Sequence, residues 1–305
     1  MQEPDPIAIA FSDLHLTLSR PACRDDEDWM AVQKHYLGQV KDLAGDLPIL
    51  FAGDLFDRWN PSPELIHFAL KNLPNRMICV PGQHDLPNHR IDQMSRSGYG
   101  VLVEAGKIID TSGGYVQPDG TEITIFGFGW DQPIKPCPID PNPHRRSIAL
   151  VHRYCWTEEA CFPGAPEDSK VSAYKKELKG YNVAIFGDNH KSFLSQTGDC
   201  VVLNCGGFIR RKSDEIDYSP RVGVIFSDGS VKRKKLDTSI DRFHPVLKDQ
   251  KEIPLNMKAF LEELEGLGEH GLNFREAVEN HLKKEKIGEE TKEIILQALE
   301  EPAKE

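Results

Sequence analysis

Five times along this chain a short apolar run stops at a polar loop rich in Asp, His and Gly. Residues 7–11 lead into Ser12-Asp13-Leu14-His15, residues 49–52 into Gly53-Asp54-Leu55-Phe56-Asp57-Arg58, and residues 77–80 into Pro81-Gly82-Gln83-His84-Asp85. Farther on, residues 148–151 precede His152, and residues 183–186 precede Gly187-Asp188-Asn189-His190. Continuous apolar runs of this length read as strands buried on both faces. A loop that follows such a strand lies at its C-terminal end, where layered α/β sheets bind ligands.

Helical periodicity falls between the runs, over 29–43 and 63–72, which gives the β-α alternation of a layered α/β fold. Asp119-Gly120 and Asp228-Gly229 sit between β-rich stretches and read as hairpin turns, so antiparallel strands are expected beside the parallel ones. A chain of 305 residues accommodates one large domain with an appendage. The character changes near residue 240, where Pro245 and Pro254 are followed by helical spacing of Met257, Phe260, Leu261, Leu264 and Leu267. Two more helices are expected around 273–284 and 289–299, so residues 1–240 read as the main domain and 241–305 as a helical appendage. Packing on the body, a separate helical unit, and a surface for a protein partner or a second copy all suit that pattern.

A formal net charge of −11 excludes indiscriminate coating of nucleic acid, which relies on a dominant basic surface. Local recognition stays open, because short basic clusters occur at 144–146, 210–212 and 232–235. The polar, acidic start of the chain lacks a signal-peptide pattern, and no run approaches membrane-spanning length. Seven cysteines without a Cys-x-x-Cys pair argue against a disulfide framework or zinc ribbon, so a reduced cytoplasmic setting is expected.

The loops together supply Asp13, His15, Asp54, Gln83, His84, His152, Asp188 and His190. Clustered carboxylate, imidazole and amide groups suit divalent manganese, iron or zinc. A carboxylate such as Asp54 has two oxygens and can bridge two ions about 3.5–4 Å apart, as in two-metal hydrolases with a bridging hydroxide. Turn chemistry explains any one of these residues. It does not explain histidine in four of the five loops.

The order Asp-x-His, Gly-Asp-x-x-Asp-Arg, Gly-x-His-Asp, an isolated His and Gly-x-x-His resembles the calcineurin-like metallophosphoesterases over residues 7–236. The resemblance implies a four-layer α/β/β/α sandwich with two divalent ions, manganese first and iron, zinc or magnesium as alternatives. It implies a first ion on Asp13, His15, Asp54 and His190, and a second on Asp54, Gln83, His152 and Asp188. By the same resemblance His84 protonates the leaving oxygen or steadies the transition state, Asp57 and Asp85 orient the imidazole, and Arg58 contacts phosphate, with Arg210 and Arg211 as further phosphate-holding residues.

Two departures fall on the second ion: Gln83 stands where the family has Asn, and Asp188 where it has His. Residues 14–16, 53–56 and 204–210 resemble the DNA-repair nuclease branch, whereas Asp57-Arg58 is similar to the phosphomonoesterase and protein-phosphatase branch. A phosphodiesterase or nuclease acting on DNA, RNA or a nucleotide is the expectation, with no membrane partner. A phosphomonoesterase, or a binding module that kept the fold while losing the second ion, is the alternative.

Overall fold

The structure, a computed structural model, describes residues 4–244 apart from 141 and 143. The helices expected beyond residue 245 lie outside these residues. The described part forms one unit ending at His244.

Two six-stranded sheets make the body. The first contains β1 (Pro6–Phe11), β2 (Ile49–Ala52), β3 (Met77–Val80) and β4 (Ile108–Asp110) in parallel. The second contains β5 (Tyr115–Val116), β6 (Ile123–Phe128), β7 (Arg146–His152), β8 (Val183–Gly187), β9 (Phe193–Thr197) and β10 (Cys200–Asn204). In it β6, β7, β8 and β10 run parallel, while β5 and β9 are antiparallel edges. The hairpin of β11 (Arg221–Phe226) and β12 (Val231–Lys235) then returns to the first sheet, with β11 antiparallel to β1. Both Asp-Gly turns therefore connect antiparallel strands, as their dipeptides imply.

Strand alternation divides the apolar runs between two faces. Ala8, Ala10, Leu50, Ala52, Ile78 and Val80 point into the space between the sheets, where they meet Ile125, Ile148, Leu150, Val183 and Ile185. Ile9, Phe11, Phe51, Met77 and Cys79 point the other way, toward the helices. This double burial is why the runs are apolar throughout.

Three helices cover the first sheet. Helix α1 (Trp29–Ala44) is capped by Asp28, whose side chain accepts from the Ala31 N–H at 2.9 Å. It buries Trp29, Val32, Tyr36, Leu37 and Val40 on one stripe. Helix α2 (Pro63–Asn72) starts on the Ser62 cap with proline in its first turn, and α3 (Gly98–Glu104) starts on Ser97. The outer face of the second sheet carries a different layer. Val171, Tyr174, Leu178 and Ile134 cover it from irregular chain and a 3-10 turn at Val171–Lys175. Pro133, Pro136 and Pro138 remove the backbone donors that a helix over that stretch would need.

Residues 241–243, expected in the appendage, are tied to this body. Asp241 accepts from Arg24 at 2.9 Å, from Arg210 at 2.8 Å and from the Tyr36 hydroxyl at 2.8 Å, while the Phe243 ring lies under both guanidinium groups.

Candidate metal centre

The five loops converge where the C-terminal ends of the two sheets meet. The Asp13 N–H donates to the Gly53 carbonyl at 3.0 Å and the His15 N–H to that of Asp54 at 3.0 Å, joining the loops after β1 and β2. Asp13 Oδ1 accepts from the Asp188 N–H at 2.9 Å, and His152 Nδ1 donates to the Ala52 carbonyl at 2.6 Å. These two bonds tie the second sheet's loops to the first.

Asp13, His15, Asp54 and Asp188 all hold left-handed backbone, with φ of 52°, 45°, 58° and 86°. Non-glycine residues adopt this region at a cost, and such strain gathers at functional sites. Gly82 is required by space rather than by φ: a Cβ there would lie 2.0 Å from Asp54 Oδ1.

Asp54 is the centre of the cluster. Its Oδ1 accepts from the His84 N–H at 3.0 Å, which leaves Oδ2 facing inward. That oxygen lies 3.6 Å from His15 Nε2 and 3.5 Å from His152 Nε2, on opposite sides. On the first side, Asp13, His15 and His190 bring ligand atoms within 4.8 Å of one another. His15 Nε2 and His190 Nε2 stand 3.2 Å apart, and His15 Nδ1 is buried without a partner. On the second side, Gln83 bridges His152 and Asp188: its carbonyl oxygen is 2.7 Å from His152 Nε2 and its amide nitrogen donates to Asp188 Oδ1 at 2.9 Å.

The electrostatics fit divalent ions. Burial raises the Asp13 carboxyl to about 8, with Asp54 and Asp188 adding to the effect against the opposing charge of His152. Burial and Asp54 likewise raise Asp188, again against His152. Burial opposes a charge on His152, but Asp54 outweighs it and lifts the imidazole to about 10. Burial lowers His190 to about 4 and His15 well below its usual range, so both offer neutral lone pairs. Three buried acids, Asp13, Asp54 and Asp188, beside the neutral imidazoles of His15 and His190 and the charged one of His152 form a donor set that sheds its protons when a pair of hard-to-borderline cations binds.

His84 stands exposed beside this buried cluster, with a ring nitrogen within 4.8 Å of ligand atoms of His15 and Asp54. Its Nδ1 donates to the main-chain carbonyl of Asp57 at 3.0 Å. The Asp57 carboxylate instead holds Arg211 at 2.7 Å. Asp85, expected to orient His84, is fully buried and accepts from the N–H groups of Leu55, Phe56 and Gly82, so it clamps the loops together. A cavity of about 460 Å³ opens over Asp13, His15, His84 and His190, rimmed by Arg20, Arg211 and Lys212. A larger cleft of about 890 Å³, at the opposite ends of the strands, contains none of the candidate ligand residues.

Two of the expected phosphate-holding residues are elsewhere. Arg58 is exposed and does not line the cavity. Arg210 faces away from it, committed to Asp241 and to the carbonyls of Ile216 and Thr238. Its neighbour Arg211 takes the inward position. Arg20 and Lys212 join the rim, and only the local run of basic residues at 210–212 hinted at the second of these. Two buried amides also escaped the sequence reading. Asn189 donates to the carbonyls of Cys155 and Ala160, and Asn204 to those of Asn189 and Lys191, which fixes the loop carrying Asp188 and His190.

A model of the calcineurin-like phosphoesterase family matches residues 8–192, and the chain belongs to that family. It is therefore a phosphoester hydrolase of a class that works with divalent metal ions, for which the loops supply candidate ligand groups. Among solved structures it is similar to an archaeal phosphodiesterase, at 14% identity and TM-score 0.38, covering 75% of this chain and 99% of that one. It is also similar to a 5′-nucleotidase precursor from Thermus thermophilus, at 14% identity and TM-score 0.44, covering 75% of this chain and 54% of that one. No curated protein matches the chain. Among the described residues, no helix is long and apolar enough to cross a membrane.

Proposed function

We propose that this hydrolase cleaves phosphodiesters, with a nucleotide or nucleic acid as its substrate class and manganese as its preferred metal. Asp13, His15, Asp54 and His190 would hold the first ion, and Asp54, Gln83, His152 and Asp188 the second. When bound, such a pair supplies Lewis-acid neutralisation of the charge that develops on the phosphoryl oxygens.

The chain's own residues do the rest. His84 keeps Nδ1 on the Asp57 carbonyl in either protonation state, so Nε2 is the atom that gives a proton to the leaving oxygen. Arg211, braced by the Asp57 carboxylate, offers its guanidinium to a non-bridging phosphate oxygen. Arg20 and Lys212 extend that positive rim along the cavity, where a further phosphate or sugar of an extended substrate would lie.

The observation that carries the diester reading is the exposure of His84 at the mouth of a 460 Å³ cavity. A leaving group that still bears a substituent can reach an acid so placed. Chelated protein reloaded with manganese should hydrolyse bis(p-nitrophenyl) phosphate faster than p-nitrophenyl phosphate. Faster monoester turnover would make it a phosphomonoesterase. Failure of both with every divalent ion, with one ion or none bound per chain, would leave only a binding module.

A further inference from the structure

Trp130 belongs to none of the three hydrophobic clusters of the sandwich, yet its backbone is held firmly. It follows β6, and its N–H donates to the Pro81 carbonyl at 3.0 Å, one residue before the Gly82-Gln83 loop. The turn around it closes twice: the Gln132 N–H donates to the Gly129 carbonyl at 3.1 Å, and the Gly129 N–H to Gln132 Oε1 at 2.8 Å. The indole lies 6.3 Å from the His152 ring and 6.3 Å from the His89 ring, and it is only partly buried. His89 is exposed, and it and Asn88 are consecutive non-glycine residues in the left-handed region, with φ of 55° and 52°. Core packing accounts for neither the indole's position nor this strained turn.

We infer that the Trp130 indole forms a stacking platform for the base of a nucleotide diester, with the His89 ring standing at 78° to it as a side wall, on the His152 side of the cluster. The inference rests on the phosphodiesterase reading above and adds the substrate's chemistry. His84 and Arg211 lie over His15 and His190, so the leaving group departs on that side. The group retained on phosphorus then extends past Gln83 and His152, toward the indole. A rigidly held tryptophan offers a flat π-face at little entropic cost, and every base has a π-face to place on it. Base–aromatic stacking of this kind changes affinity by about tenfold to a hundredfold on loss of the ring.

Two diesters with the same leaving group test this: thymidine 5′-(p-nitrophenyl phosphate) and methyl p-nitrophenyl phosphate, on manganese-loaded protein. The nucleoside ester should be favoured at least tenfold in kcat/KM, mainly through KM. Trp130→Ala should pull that ratio toward one, Trp130→Phe should restore most of it, and His89→Ala should fall between. Calorimetric titration with thymidine 5′-monophosphate and with oligothymidylate gives a readout independent of turnover, and both should weaken in Trp130→Ala and recover in Trp130→Phe. Tighter binding of the oligomer identifies a nucleic-acid strand as the source of the base, and equal binding identifies a free nucleotide. An unchanged ratio with unchanged binding overturns the platform. So does an equal fall on both substrates, because Trp130 would then only screen His152 from water. If neither ester is cleaved but nucleotide binding still depends on Trp130, the phosphodiesterase reading fails and the platform stands.

Discussion

The main-chain carbonyl of Asp57 accepts the Nδ1–H of His84 at 3.0 Å, while the carboxylate of the same residue holds Arg211 at 2.7 Å. A substitution at Asp57 therefore touches the arginine and spares the histidine's bond, because the carbonyl persists in every variant. His84→Ala should lower turnover by about 10² to 10⁴, the usual weight of a general acid, with metal content intact. Asp57→Asn should cost much less and act mainly on KM, since Arg211 keeps a neutral acceptor in place of a charged one. Steady-state kinetics with metal analysis of each variant checks this. Loss of metal in proportion to loss of rate in His84→Ala would make His84 a ligand instead.

The strand-end loops were legible in the sequence because buried parallel strands announce themselves as uninterrupted apolar runs, and the loop after such a run must lie at the sheet's end. Helix α2 spans the residues 63–72 over which helical periodicity is expected. The basic stretch at 210–212 could not be apportioned in the same way. On an irregular loop adjacent side chains have no fixed period, so nothing local tells that Arg210 turns to Asp241 while Arg211 turns to Asp57. Arg24 and Asp241 meet across 217 residues, and no short-range pattern encodes such a pair. Trp130 was invisible for another reason: an aromatic residue after a strand reads as core until the three clusters are seen to close without it.

Arg24 and Asp241 supply the second expectation. The Arg24 side chain is fully buried, bonded to Asp26 at 2.6 Å and to Asp241 at 2.9 Å, and the Asp241 side chain is fully buried as well. Asp241→Asn removes the charge that compensates both Arg24 and Arg210. Breaking one partner of a buried ionic network costs about 3–5 kcal/mol, far above the effect of a surface pair. Urea unfolding should show a lower midpoint with an unchanged slope. A change below about 1 kcal/mol would show that Asp26 alone suffices for Arg24.

Between pH 6.5 and 8 the metal-free protein should lose stability as pH rises. Asp13 keeps its proton to about 8 in the fold but gives it up near 3.8 when unfolded, because burial disfavours its charge. His152, raised to about 10 by Asp54 against the effect of burial, also binds more protons folded than unfolded throughout this window. Both groups give the unfolded state fewer protons than the native state, so unfolding becomes easier with pH. His190, lowered to about 4 by burial, and His15, lowered well below its usual range by burial, act in the opposite sense, but their effect fades as pH rises above 6.5 and is outweighed by Asp13 and His152. Melting of chelated protein should thus occur at lower temperature at pH 8 than at pH 6.5. Manganese should reverse the trend, since its ligands bind deprotonated. A flat melting profile without metal would mean that neither Asp13 nor His152 holds an extra proton in the metal-free fold.

Asp188 sets the final expectation, on metal choice. As a ligand beside Asp54 and Gln83 it would give the second side three oxygen donors with the single nitrogen of His152, and its Oδ1 faces the Gln83 amide at 2.9 Å. Carboxylate and carbonyl oxygens suit manganese and magnesium, whereas imidazole also favours zinc. Asp188→His should therefore move the second side toward zinc. Zinc binds most sites more tightly than manganese in absolute terms, so the informative quantity is the ratio of the two affinities before and after substitution. The left-handed backbone at Asp188, φ 86°, suits asparagine as well as aspartate, so Asp188→Asn serves as a control that keeps the shape and removes the charge. Calorimetric titration of the three proteins with each ion, with occupancy read by anomalous scattering, measures the shift. Asp188→Asn should weaken both ions and leave their ratio nearer the original, because it keeps an oxygen donor. If the manganese-to-zinc ratio at the second side is the same in the original protein and in Asp188→His, Asp188 holds Gln83 in place and is no ligand.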